Sequence, residues 1–274
     1  MKHTPILLDG AAGTTLWELA EQAGLKRLPP WKYNIEAPEL VLELHRRYVA
    51  AGCDMIQTNT FDANALSVSR ASDYTPAQVI TAAVELAKKA VEGSGVGVYL
   101  SFGPPSVLME PFGTLKKSDV TQMYADMAEA GVKAGAEAVM LETFMDVRMM
   151  AAAAEGCLGR GVPVICSMTF AKHHRTMMGD TVDKIIKTLA PLGIDGIGMN
   201  CSAGPVEALD IIREFHEKTE LPLYFKPNTG MGENYSPAQF AGEVSPALEF
   251  VRWIGGCCGT NDAYIRVLKQ YITT

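Results

Sequence analysis

Three stretches of this chain share one layout: AAGCDMIQTN (51–60), KAGAEAVMLE (133–142) and PLGIDGIGMN (191–200). Each carries the end of a helical pattern, a Gly, an acidic residue and a short apolar run. Glycine ends a helix in a left-handed cap without steric cost, and the strand follows at once. Working outward from these units gives eight strand runs: Ile6–Leu8, Met55–Thr58, Val96–Ser101, Ala138–Leu141, Val164–Met168, Gly196–Met199, Leu223–Phe225 and Val251–Ile254. They do not alternate polar with apolar residues. Strands of that kind are buried on both faces, as in a parallel sheet.

Amphipathic segments separate the runs. Pro76–Glu92 opens with Pro at a first turn, and Ser118–Lys133, Asp146–Leu158, Thr181–Leu189, Pro205–Lys218, Pro237–Glu249 and Asp262–Tyr271 follow. Eight strand–helix units within 274 residues have the length of a (β/α)8 TIM barrel. The alternative is a doubly wound open sheet. No G-x-G-x-x-G follows the first strand, which weakens a dinucleotide-binding reading. With no linker, low-complexity segment or charge run, the expectation is one α/β domain over residues 1–274.

Hydrophobic residues make up 48% of the chain, enough for a sizeable core. The net charge of −7, without a basic stripe, argues against nucleic acid and anionic membrane as partners. No apolar run approaches the ~18–20 residues of a membrane span. The N-terminal MKHTPILLDGAAG lacks a signal-peptide layout. Six cysteines without small-scaffold spacing suit a reducing, cytoplasmic setting.

A barrel of this kind places its chemistry at the C-terminal ends of its strands. Those ends are Asp9, Asn59–Thr60, Glu142, Asn200–Cys201, Asn228 and Cys257–Cys258. Three thiolates, from GMNC (198–201) and GGCCGT (255–260), suffice to hold one Zn2+ with its fourth position open, the arrangement of a catalytic site. A soft, sulfur-rich site also suits a sulfur substrate. Read alone, Cys257–Cys258 also fits two buried small residues or a vicinal disulfide. Cys53, Cys157 and Cys166 lie in apolar surroundings and are expected in the core. The adjacent His173 and His174 are expected at the surface or at a gate, since neighbouring histidines on a loop seldom converge on one ion. Met177 and Met178 read as gap-fillers.

LLDGAAGTTL (7–16), TNTF (58–61), LET (141–143), GMNCSAGP (198–205) and GGCCGT (255–260) together resemble the homocysteine S-methyltransferase family. Asp146, RTMMGDT (175–181) and PN-G (227–230) make the pattern most similar to the homocysteine-binding module of cobalamin-dependent methionine synthases. The resemblance implies a zinc-dependent TIM barrel that methylates homocysteine, with Cys201, Cys257 and Cys258 as ligands. A free thiol is mostly protonated at neutral pH. Coordination to Zn2+ deprotonates it, and three cysteine thiolates leave the substrate sulfur electron-rich.

By the same resemblance Glu142 pairs with the substrate ammonium, or else caps the next helix. Asp9 and Gly10 belong to a glycine-rich turn whose amides can approach a carboxylate. Asp9 either orients that turn or touches the amino group. Asn59 and Thr60 line the pocket or satisfy loop amides, and Asn200 steadies its ligand neighbour. The implied donor is a methyl-corrinoid on a separate corrinoid or folate-binding protein. Alternatives are a small donor (S-methylmethionine or betaine), another thiol or selenol acceptor, and a non-catalytic homocysteine-binding subunit. Betaine-dependent relatives carry Tyr after the T-F segment and after the pocket Glu. Asp62 and Thr143 stand at those positions here, and Trp31 alone matches an aromatic of their cage, which implies negligible use of betaine.

Overall fold

The computed structural model describes residues 4–202, 204–229 and 235–273. Ala203 and Gly230, from the GMNCSAGP and PN-G segments, lie outside the described residues. Eight parallel strands run around a barrel: β1 (Ile6–Leu7), β2 (Met55–Gln57), β3 (Gly97–Phe102), β4 (Ala138–Phe144), β5 (Val164–Met168), β6 (Gly196–Cys201), β7 (Leu223–Pro227) and β8 (Trp253–Ile254). Hydrogen-bonded neighbours follow the order β1-β8-β7-β6-β5-β4-β3-β2. All eight expected strands are present. β4 and β6 run further than expected, so Glu142 and Cys201 belong to the strands themselves.

The acidic residue of the repeated layout has a structural task. At the seam between β1 and β2, the Asp54 amide donates to the Leu7 carbonyl at 2.7 Å. The Asp54 carboxylate accepts the Leu7 amide at 2.8 Å. Asp195 does the same with Val164 between β5 and β6, at 2.9 and 2.8 Å. Each Asp satisfies two backbone groups where a strand begins, the kind of pairing that buried backbone requires. The left-handed glycines before them, Gly52 (φ 94°) and Gly193 (φ 79°), cap the preceding helices.

Side chains alternate across the wall. Val98, Leu100, Val139, Leu141, Ile197 and Phe225 join the large apolar layer between strands and helices. Leu8, Tyr99, Ala138, Met140, Ile165, Tyr224 and Trp253 form a second cluster that fills the barrel interior. The next inward position on several strands is polar: Ser101, Glu142, Ser167, Asn200 and Lys226, each at most 3% exposed. The interior therefore passes from apolar to polar toward the C-terminal ends of the strands.

The outer helices match the amphipathic segments, with two differences. Pro237–Glu249 divides into an α-helix, Pro237–Val244, and a 3-10 turn, Ser245–Glu249. Pro246 has no amide to donate and its ring clashes with the preceding turn. Pro191 likewise converts the end of the Val182–Leu189 helix to 3-10 geometry. Helices Gly13–Gln22, Pro38–Ala51 and Ala65–Ala71 add to those expected. Among the described residues no helix is long and apolar enough to cross a membrane.

Candidate active site

The C-terminal face of the barrel opens into a cavity of about 620 Å³, lined by the loops after β1, β2, β4, β6 and β8. Cys201, Cys257 and Cys258 stand on its wall. Their sulfurs lie within 4.8 Å of one another, and Cys201 Sγ and Cys258 Sγ are 3.8 Å apart. Two sulfurs bound at about 2.3 Å to one tetrahedral zinc are separated by about 3.8 Å, so the spacing fits that ion. All three are free thiols, as are the buried Cys53, Cys157 and Cys166. Contacts from the Cys257 and Cys258 thiols pull Cys201 far below the ordinary thiol range, while the same cluster and burial push Cys257 and Cys258 up. Desolvation, against the opposing pull of Arg160, pushes the core thiol Cys157 up to about 12, which leaves it inert.

Backbone geometry aims these cysteines. Cys201 and Ser202 both adopt left-handed conformations, φ 58° and 70°. Non-glycine residues accept that strain where surrounding bonds enforce it. The Asn228 amide holds the turn by donating to the Ser202 carbonyl at 3.0 Å. Asn200 locks the neighbouring strands: its Oδ1 accepts the Thr143 amide and the Ser167 hydroxyl, both at 2.8 Å. Its Nδ2 donates to Thr143 Oγ1 at 2.7 Å and approaches Cys257 Sγ at 3.8 Å. Thr143 itself is left-handed, φ 65°, and the β4–β5 register shifts between Leu141 and Phe144. Asn200 therefore ties an irregular strand end to the thiol cluster.

Glu142 projects into the barrel from that irregular end and is 3% exposed. Ser101 donates to its Oε2 at 2.5 Å, and the Tyr224 hydroxyl donates to its Oε1. The helix cap that competed with the pocket role falls to Asp146, whose Oδ1 accepts the Arg148 amide at 2.9 Å. Asp9 is saturated by protein groups. Its Oδ1 accepts from Tyr99 and Lys226, at 2.9 and 3.1 Å, and its Oδ2 from the Gln57 amide at 2.8 Å. Burial pushes the Asp9 carboxyl up against the opposing attraction of Lys226. Burial also depresses the Lys226 ammonium, but Asp9, Glu142 and Cys257 outweigh it and the net shift is upward.

Gly10 packs tightly: a Cβ there would lie 2.7 Å from Thr260 Oγ1 and 2.8 Å from the Tyr48 hydroxyl. Asn59 lines the cavity yet spends its Nδ2 on Pro30 O (2.6 Å) and Asn34 Oδ1 (2.9 Å). This bond holds the loop that carries Trp31 over the mouth. Thr60 turns to β3, donating to the Ser101 carbonyl at 2.8 Å. His173 and His174 lie apart from the thiols, and His174 Nδ1 pairs with Glu214 at 3.2 Å. Sequence reasoning missed Lys226, Tyr99, Tyr224, Ser101 and Ser167. The available signal was a polar residue two places after an inward apolar one, as in Tyr224–Lys226 and Met140–Glu142.

A parallel barrel with three converging thiols and a buried carboxylate at its C-terminal face defines a TIM-barrel protein whose thiols have the spacing to hold one metal ion. A family model described as homocysteine S-methyltransferase matches residues 6–272, and the chain belongs to that family. It is 29% identical to methionine synthases of Mycobacterium leprae and Mycobacterium tuberculosis over 94% of its length. It spans about a quarter of those relatives, 23% and 24% respectively. The apo structure of the homocysteine methyltransferase MmuM from Escherichia coli aligns with a TM-score of 0.77 at 26% identity, covering 98% of this chain and 97% of that one.

Proposed function

We propose that this protein methylates the thiol of homocysteine to give methionine. The observation that carries the reading is the shared cavity of the three-thiol cluster and the buried carboxylate of Glu142. Zinc held by Cys201, Cys257 and Cys258 would supply a substrate thiolate at neutral pH, where the free thiol is mostly protonated. Glu142 receives the substrate ammonium, and its position on β4 fixes how far that group lies from the cluster. Asn200 and Asn228 keep the ligand-bearing turns in place. The apolar walls, including Trp31, Ala11 and Pro30, exclude water from the reacting sulfur.

The donor we favour is a methyl-corrinoid on a separate protein. Phe61, Leu108, Phe112, Met177 and Val206, between 42% and 74% exposed, all follow strands on the face that bears the cavity. Exposed apolar groups around a site suit a large partner. The whole-length match to MmuM favours a second reading, a small donor lodged in the outer cavity beside homocysteine. Purified zinc-loaded protein, given homocysteine and in turn methylcobalamin, a methylated corrinoid protein and S-methylmethionine, separates the two by the methionine formed. No methionine from any donor, with no homocysteine binding, would overturn the function itself.

A further inference from the structure

Lys226 lies in the apolar run LYFKP of β7 and is 2% exposed, and the chemistry above assigns it no task. Its Nζ is 3.1 Å from Asp9 Oδ1, 2.8 Å from the Tyr99 hydroxyl and 3.8 Å from Glu142 Oε1. Burying a cation is costly unless it is paired. Here it is paired with Asp9, whose remaining capacity goes to Tyr99 and Gln57. Glu142 shares the same ammonium at the longer distance of 3.8 Å and, unlike Asp9, borders the cavity, as Lys226 does. Counted formally, the buried cluster of Asp9, Glu142 and Lys226 carries one net negative charge beside the cavity. Resting on the homocysteine reading, we infer that Lys226 is a specificity-determining residue: by cancelling Asp9 it sets the acceptor pocket to hold one cationic head group.

The charge of the pocket is then a controllable quantity. Lys226→Met makes it one unit more negative, Asp9→Asn one unit less, and the double variant restores the original value. Three thiols report it: homocysteine, 3-mercaptopropylamine, which lacks the carboxylate, and 4-mercaptobutanoate, which lacks the amine. Their dissociation constants are measured by calorimetry on zinc-loaded protein with no methyl donor present. The affinity ratio of amine thiol to acid thiol should rise tenfold or more in Lys226→Met. It should fall by a similar factor in Asp9→Asn and return to within threefold of the original in the double variant.

A merely structural Lys226 would weaken both thiols together and leave the ratio unmoved, and that result overturns the inference. If Lys226→Met does not fold, the Asp9→Asn shift and the double variant still decide it. Failure of the unaltered protein to bind homocysteine would instead remove the function on which the inference rests, and the inference with it.

Discussion

Asp54 closes the barrel by meeting Leu7 twice, amide to carbonyl at 2.7 Å and carboxylate to amide at 2.8 Å. Leu7 is fully buried, so its amide has no water to turn to when the carboxylate is removed. Asp54→Ala should lower unfolding stability by about 1–3 kcal/mol, the cost of an unmet buried donor. Asp195→Ala should do the same at the β5–β6 seam. Urea unfolding with zinc content checked in parallel measures both; unchanged midpoints would show that the seams do not need these carboxylates.

The thiol cluster predicts a stoichiometry. Reduced protein should hold about one zinc per chain, and Ala at Cys201, Cys257 or Cys258 should remove most of it. The barrel should stay folded, because its apolar layers do not include these residues. Full zinc occupancy in the Cys257→Ala, Cys258→Ala double variant would rule the site out.

Glu142→Gln keeps the hydrogen bonds to Ser101 and Tyr224 within reach and removes the charge. A hydrogen bond to a charged group is worth roughly 1.5–3 kcal/mol, so homocysteine affinity should fall about ten- to a hundredfold. A thiol without an amine should bind the variant and the parent alike. Equal losses for both would make Glu142 a structural carboxylate.

His45 is fully buried, and neither ring nitrogen has a hydrogen-bond partner among the described residues. Desolvation lowers its pKa from 6.5 to about 4. The unfolded chain takes up a proton below about pH 6.5, while the folded one refuses it down to about pH 4. Stability is therefore complete above pH 6.5 and falls as the pH drops through that window, by about 3 kcal/mol in all at 1.36 kcal/mol per unit. His45→Leu should flatten this slope in denaturant titrations at pH 5 and 7.5. An unaltered slope would place the acid sensitivity elsewhere.

Betaine should not serve as donor. Thr143 Oγ1 accepts from the Asn200 amide, and Asp62 accepts from Asn64 and Ser67 at 3.0 and 2.6 Å. Neither position offers an aromatic face, so of the three cage positions only Trp31 is aromatic, and one such face contributes about 0.5–2 kcal/mol to a quaternary ammonium. Turnover with betaine equal to that with a methylated corrinoid would contradict this.

The alternation of strand and helix was legible because glycine caps and apolar runs are local signals, each read within ten residues. That the cysteines share a face was legible too, since parallel βα order sends every strand end to the same side. The helices Gly13–Gln22 and Ala65–Ala71 were not read, although Asn64, which accepts the Leu66 and Ser67 amides, is a local cap signal for the second of them.

The pairing inside the barrel belonged to tertiary structure alone. Lys226 meets Asp9 across 217 residues, and Tyr224 meets Glu142 across 82. A strand's period of two tells which residues share a face, but not which of them meet. That depends on how the strands are staggered when the sheet closes. The sequence by itself determined a parallel barrel with a thiol cluster at its mouth. Only the closed ring decided that a lysine inside an apolar strand would stand between Asp9 and Glu142.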